Sequence, residues 1–210
     1  MKRLFSRVRK TPARPVGGDD AGYFSSMFHE MPGDVPARAS WSTRAVEVDA
    51  RALDPKKGAA LFARLWADDK QLVALTADEL QRLCRHCEFV SVPAGKEVIA
   101  QDEHGNYMLV VLEGSLSVDR VHPWGARARL AEAHAGEMLG EMSLLDAGAR
   151  FSSCMTLSPC SLAVIDAQHL DEMLAQEPRL GLALLASLSR RLSLRLRQVS
   201  ARLSALLSQN

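Results

Sequence analysis

The chain has 210 residues, 47% of them apolar and 24% charged, with a net charge of +1, the balance of an ordinary globular protein of one domain with extensions. No run of about 18 apolar residues occurs, so no helical membrane span is read, and no apolar stretch follows the basic start "MKRLFSRVRK", which fails as a secretory signal. The stretch before Asp19 lacks acids, as an organellar transit peptide does, but the cytoplasm is the expected compartment.

Charge is placed unevenly. Lys2, Arg3, Arg7, Arg9, Lys10 and Arg14 precede the first acid, and Arg179, Arg190, Arg191, Arg195, Arg197 and Arg202 follow the last, Glu177. Such ends suit a contact with something anionic, whether nucleotide, lipid or acidic protein. Solvated charge on a tail and a helix face is the plain alternative.

Residues 1–50 carry Pro12, Pro15, Pro32 and Pro36 and no sustained period. They read as an irregular basic arm, with a short docked segment around "YFSSMF" (23–28). Residues 51–88 read as a helical lead-in. Asp54 caps a helix with Pro55 at its first position and Leu61, Phe62, Leu65 and Trp66 on its buried stripe. Thr76 and Glu79 form a capping box for a second helix reaching about Cys87. Cys84 and Cys87 of "CRHC" share its apolar face with Leu80 and Leu83, and no second ligand pair completes a metal site. Cys154 and Cys160 read as core packing.

At residue 89 the period changes. "FVSV" (89–92), "EVI" (97–99), "YMLVVLEGSLSVDRV" (107–121), "ARARLAEA" (126–133) and the runs within 153–165 are short strands separated by turn residues. Residues 89–166 therefore read as an antiparallel barrel or sandwich, interrupted by the brief helical turn of "GEMSLLDAG". In 167–210, Asp166 caps a short helix. Leu185, Leu188, Leu192, Leu196, Val199, Leu203 and Leu206 then recur at threes and fours along a long one. A helix of about thirty residues spans about 45 Å, more than a small barrel covers, so the seam is expected to pair with a second copy.

The stretch "LGEMSLLDAGARFSS" (139–153) carries the chemistry. Gly140 permits close backbone approach, the amides of Met142 and Ser143 open a helix, and Arg150 supplies a charge-assisted contact to a phosphate. Glu141 beside an anion is unwelcome unless it accepts from a hydroxyl on the same ligand, which a ribose next to a phosphodiester provides. No Ser/His/Asp set, metal cluster or paired carboxylates converge in one motif, so no enzyme is expected.

This stretch resembles the phosphate-binding cassette of the cyclic-nucleotide-binding domain family, G-D-x-F-G-E-[LI]-A-L-L, four loop residues, then R-A-A-T. The likeness covers residues 72–205, with "VPAGKEVI", "YMLVVLEGSLSV" and the "LSRRLS" helix. It implies a mainly β fold with flanking helices: an eight-stranded β-roll followed by a long C-terminal dimerisation helix. It places Gly140, Glu141, Met142, Ser143, Arg150, Phe151 and Ser152 at the ligand. Two departures stand out: Ala149 replaces the usual Pro, and Phe151 replaces a small Ala or Ser. The last helix resembles that of the bacterial cyclic-AMP receptor family, so Arg191 matches an Arg there, and Arg195 and Leu196 fall where a Thr-Ser pair reads adenine.

The resemblance implies a non-enzymatic sensor, a homodimer through its C-terminal helix, that reports cyclic AMP, cyclic GMP or cyclic di-GMP to a partner protein. Arg195 is expected to favour guanine, whose O6 and N7 suit a guanidinium fork. No DNA-reading module fits in the chain, so no specific DNA binding is expected. An interaction scaffold with an empty pocket is the alternative.

Overall fold

Helix starts follow from their first residues. Asp54 accepts the Lys56 amide at 3.0 Å and Pro55 has no amide hydrogen that needs an acceptor, so α3 (Pro55–Asp68) begins there. Thr76 and Glu79 exchange both bonds of a capping box at the head of α4 (Ala77–Leu83), which tightens into a 3-10 turn at Cys84–His86. The computed structural model describes residues 22–29 and 39–208. The cationic stretch from Lys2 to Arg14 lies outside them.

The strands are β1 (Arg51–Ala52), β2 (Glu88–Val92), β3 (Glu97–Ile99), β4 (Tyr107–Glu113), β5 (Leu116–Val121), β6 (Arg127–Ala133), β7 (Met138–Leu139), β8 (Ser153–Thr156) and β9 (Cys160–Asp166). They form two antiparallel sheets, β1-β2-β9-β4-β7 and β3-β8-β5-β6. This is the β-roll that the cassette's resemblance implied. Strand β4 is apolar on both faces, and each face has a core of its own. Tyr107, Leu109 and Val111 pack between the sheets, while Met108, Val110 and Leu112 pack under the helices. The run 107–121, read as one stretch, divides at Gly114–Ser115, so β4 and β5 serve different sheets.

Between β7 and β8 stands α5 (Glu141–Asp146). After β9 come α6 (Ala167–Gln176), capped by Asp166, and α7 (Pro178–Leu207). The first turns of α7 bury Leu180, Leu184 and Leu188; beyond Leu188 no described residue is buried, and Leu196 and Val199 are 68% and 60% exposed.

Within residues 1–50 the docked segment around 23–28 is seated on α6, and the described residues hold more helix than the irregular arm read from sequence. Tyr23–His29 is a helix, α1, whose Phe24 and Ser25 amides donate to Asp171 of α6 at 2.9 and 2.7 Å. Trp41–Glu47 is another, α2, capped by Ser40. The lead-in also opens with a strand, β1, paired to β2. With seven residues each and no capping box, α1 and α2 show too little period to be read from sequence and are held by tertiary contact.

All four cysteines are free. Burial pushes the Cys84 thiol up to about 11 and Cys154 to about 12, and raises Cys87 and Cys160 as well. Thiolate is the reactive form. Iodoacetamide is therefore expected to modify none of them in the native protein at pH 8, and all four after unfolding; rapid native labelling, seen by intact mass, would count against the buried assignment.

Candidate functional site

The site is built where β7 ends. Met138 and Leu139 pair with Val110 and Leu109 of β4, and the chain must then turn sharply into α5. Gly140 makes that turn at φ +77, where side chains are strained. A Cβ there would fall 2.6 Å from Arg150 Nη1 and 3.1 Å from the Tyr107 carbonyl oxygen. Gly105 likewise clears space, since its Cβ would lie 2.5 Å from Arg150 Nη2. The two glycines thus make room for one guanidinium.

Arg150 is 1% exposed. Its Nη1 donates to the Gly140 carbonyl at 2.7 Å and its Nη2 to the Tyr107 carbonyl at 2.6 Å, while Nε is buried without a partner. The cation also lies over the Tyr107 ring, 4.6 Å from its centroid. No carboxylate pairs with it among the described residues. Burial lowers its proton affinity, and the phenol and Glu103 nearby offset this only in part. A desolvated cation with carbonyls for company and no counter-charge is a place for an anion.

Its backbone is clamped from the opposite side. The Arg150 amide donates to the Glu103 carbonyl at 2.8 Å, and the Asp102 amide donates to the Arg150 carbonyl at 2.9 Å. The Glu103 carboxylate is held in turn by the Ala100 amide at 3.1 Å and by Arg44 of α2. Trp41, also of α2, meets the Tyr107 ring edge-on at 5.4 Å. Ala39 donates to the His104 carbonyl at 3.0 Å.

Glu141 begins α5 and is 5% exposed. Arg195 of α7 reaches it, Nη1 to Oε1 at 2.6 Å, and places Nη2 on the Met138 carbonyl at 3.2 Å. That leaves Oε2 for a hydroxyl donor. Ser143 is buried and Met142 exposed, and their amides belong to the open first turn of α5. Phe151 is 55% exposed, with the Arg120 guanidinium carbon 4.0 Å from its ring centroid.

The structure thus brings Gly140, Glu141, Arg150 and Arg195 together. It does not bring Arg191, which pairs with Asp69 after α3. Arg195 differs from its expected role, because both its Nη atoms are engaged by the cassette rather than directed at a base. Ser152 is half-buried beside the site. Sequence reasoning missed Tyr107, Gly105 and Arg120. Only Arg120 had a signal: it stands two residues after Val118, hence on the same face of β5.

The family described as cyclic nucleotide-binding domain matches residues 89–177. A CRP-like cAMP-activated global transcriptional regulator of Mycobacterium tuberculosis is 30% identical over 110 residues, covering 52% of this chain and 49% of that protein. A cyclic AMP receptor protein of Thermus thermophilus is 32% identical over 100 residues, covering 48% and 46%. The chain thus spans about half the length of the curated relatives it matches. A solved cyclic nucleotide-binding domain from Methylobacillus flagellatus is 26% identical with a TM-score of 0.68, over 73% of this chain and 87% of that one. Residues 89–177 are thus similar in sequence, and the roll in fold, to cyclic nucleotide-binding domains.

Proposed function

We propose that this protein is a non-enzymatic sensor whose cassette binds a cyclic mono- or dinucleotide (cyclic AMP, cyclic GMP or cyclic di-GMP) and whose long helix passes occupancy to a partner protein. The observation that carries this reading is Arg150: a buried guanidinium without a carboxylate, beside the open first turn of α5, in a segment matched to the family. The relatives' names point to cyclic AMP, and that ligand is the first to test.

The phosphodiester would supply the missing counter-charge, and Oε2 of Glu141 would accept from the ribose 2′-hydroxyl. Because Arg150 is shielded, α5 has to move for the phosphate to enter. Left-handed residues bracket that helix, Gly140 at φ +77 and Ala147 at φ +55, and a non-glycine residue there stores about 1 kcal/mol. Arg195 links the same cassette to α7, so movement of α5 is transmitted to the helix.

A calorimetric panel of cyclic mono- and dinucleotides tests the reading, with binding of at least one expected at micromolar concentration. The burial of Arg150 and the Glu141–Arg195 pair favour a second reading, an interaction scaffold that keeps its cassette closed. Binding of none of the panel would decide for it.

The exposed half of α7 is proposed to pair with a second copy along Leu192, Leu196, Val199 and Leu203. Leu192→Lys combined with Val199→Lys should turn a dimer into a monomer while the roll stays folded. Sedimentation of the unaltered chain as a monomer at micromolar concentration would refute the pairing.

A further inference from the structure

Arg120 enters the site from a strand, outside the cassette. Along β5, Leu116 and Val118 pack into the inner core, and Arg120 leaves the same face where the strand ends. Its guanidinium lies over the Phe151 ring, and its Nη1 donates to the Phe151 carbonyl. The ring is still more than half exposed. An accessible aromatic ring backed by an arginine is a stacking platform for a base.

The charges point the same way. Arg44, Arg129, Arg191 and Arg195 each meet a carboxylate, in Glu103, Asp119, Asp69 and Glu141. Arg150 and Arg120 meet none among the described residues. One exposed ring therefore carries a guanidinium without a carboxylate on its face and follows directly in the chain a residue with another. A cyclic mononucleotide carries a single phosphate charge and can neutralise only one of them. A cyclic dinucleotide carries two phosphodiesters and two bases. The α7 arginines are poorer candidates for a second phosphate, because Arg191 and Arg195 are already paired.

Resting on the cyclic-nucleotide reading above, we infer that Arg120 and Phe151 form a second subsite, which takes the second phosphate and a stacked purine of a cyclic dinucleotide. Arg150 holds the first phosphate. Phe151, where the family keeps a small residue, is then the determinant that separates dinucleotide from mononucleotide.

Calorimetry on the full chain tests this with cyclic di-GMP, cyclic di-AMP, cyclic GMP and cyclic AMP as probes. A dinucleotide is expected to bind tightest. Arg120→Ala and Phe151→Ser should each weaken it about 10- to 100-fold, the range of one lost stacked base or charge contact, and Arg120→Ala should change mononucleotide binding by less than about twofold. Both side chains reach the surface, and unchanged thermal midpoints in the two variants would separate loss of the subsite from loss of the fold. If mononucleotides bind and dinucleotides do not, or if both variants weaken the two classes equally, the subsite is wrong and the cyclic-nucleotide reading stands. If no probe binds, both fall.

Discussion

Arg150→Ala is expected to lower cyclic-nucleotide affinity about 30- to 1000-fold, or about 2–4 kcal/mol, as loss of a charge-assisted contact in a desolvated place requires. The side chain is almost wholly buried and no second cation lies on the same carbonyls, so no neighbour can substitute. The same change leaves the Gly140 and Tyr107 carbonyls without their donor and opens a hole beside Gly105, so the melting temperature should fall as well. Arg150→Lys restores the charge but cannot serve both carbonyls from one planar fork, and should recover only part of the affinity. A dissociation constant in calorimetry that is unchanged by Arg150→Ala would remove this pocket from consideration.

Gly140→Ala should be the next most damaging single change. The new Cβ meets two costs together. The backbone at φ +77 disfavours any side chain by about 1–2 kcal/mol, and the methyl would fall 2.6 Å from Arg150 Nη1. Ile99 Cδ1 at 3.0 Å and the Tyr107 oxygen at 3.1 Å close the other directions. Either Arg150 leaves its carbonyls or the turn from β7 into α5 opens, and both outcomes displace the proposed phosphate site. Affinity should fall at least tenfold, about 1.4 kcal/mol, with a lower thermal midpoint. A Gly140→Ala protein that binds and melts like its parent would show that the close approach is not needed.

Much of this was legible because local chemistry dictated it. Asp54-Pro55 and Thr76 with Glu79 mark helix starts whatever surrounds them, and the strand runs from Phe89 to Ile165 alternate or saturate as buried strands must. Gly140, Glu141 and Arg150 stand at the spacing of the cassette that the sequence resembles, and that resemblance is what pointed to a phosphate. What escaped depends on which elements lie against each other. The sequence places Arg195 beside the leucine seam, but only the lie of α7 on the cassette gives it Glu141 instead of a base. Arg191, one turn earlier, is taken by Asp69 for the same reason. The helix α2 escaped because Trp41 and Arg44 find their partners some sixty residues away, in Tyr107 and Glu103.

That last contact reaches beyond folding. Residues 39–47 lie outside the matched segment 89–177, yet they grip the loop whose backbone holds Arg150 on both sides. The unit that holds Arg150 in place is therefore longer than the segment matched to the family model. A fragment cut at Phe89 would retain every motif residue and lose the brace behind the arginine. Grafted into a fluorescent reporter or a chimeric receptor, such a fragment would carry the signature without the grip, and a portable version of this domain has to begin no later than Ala39.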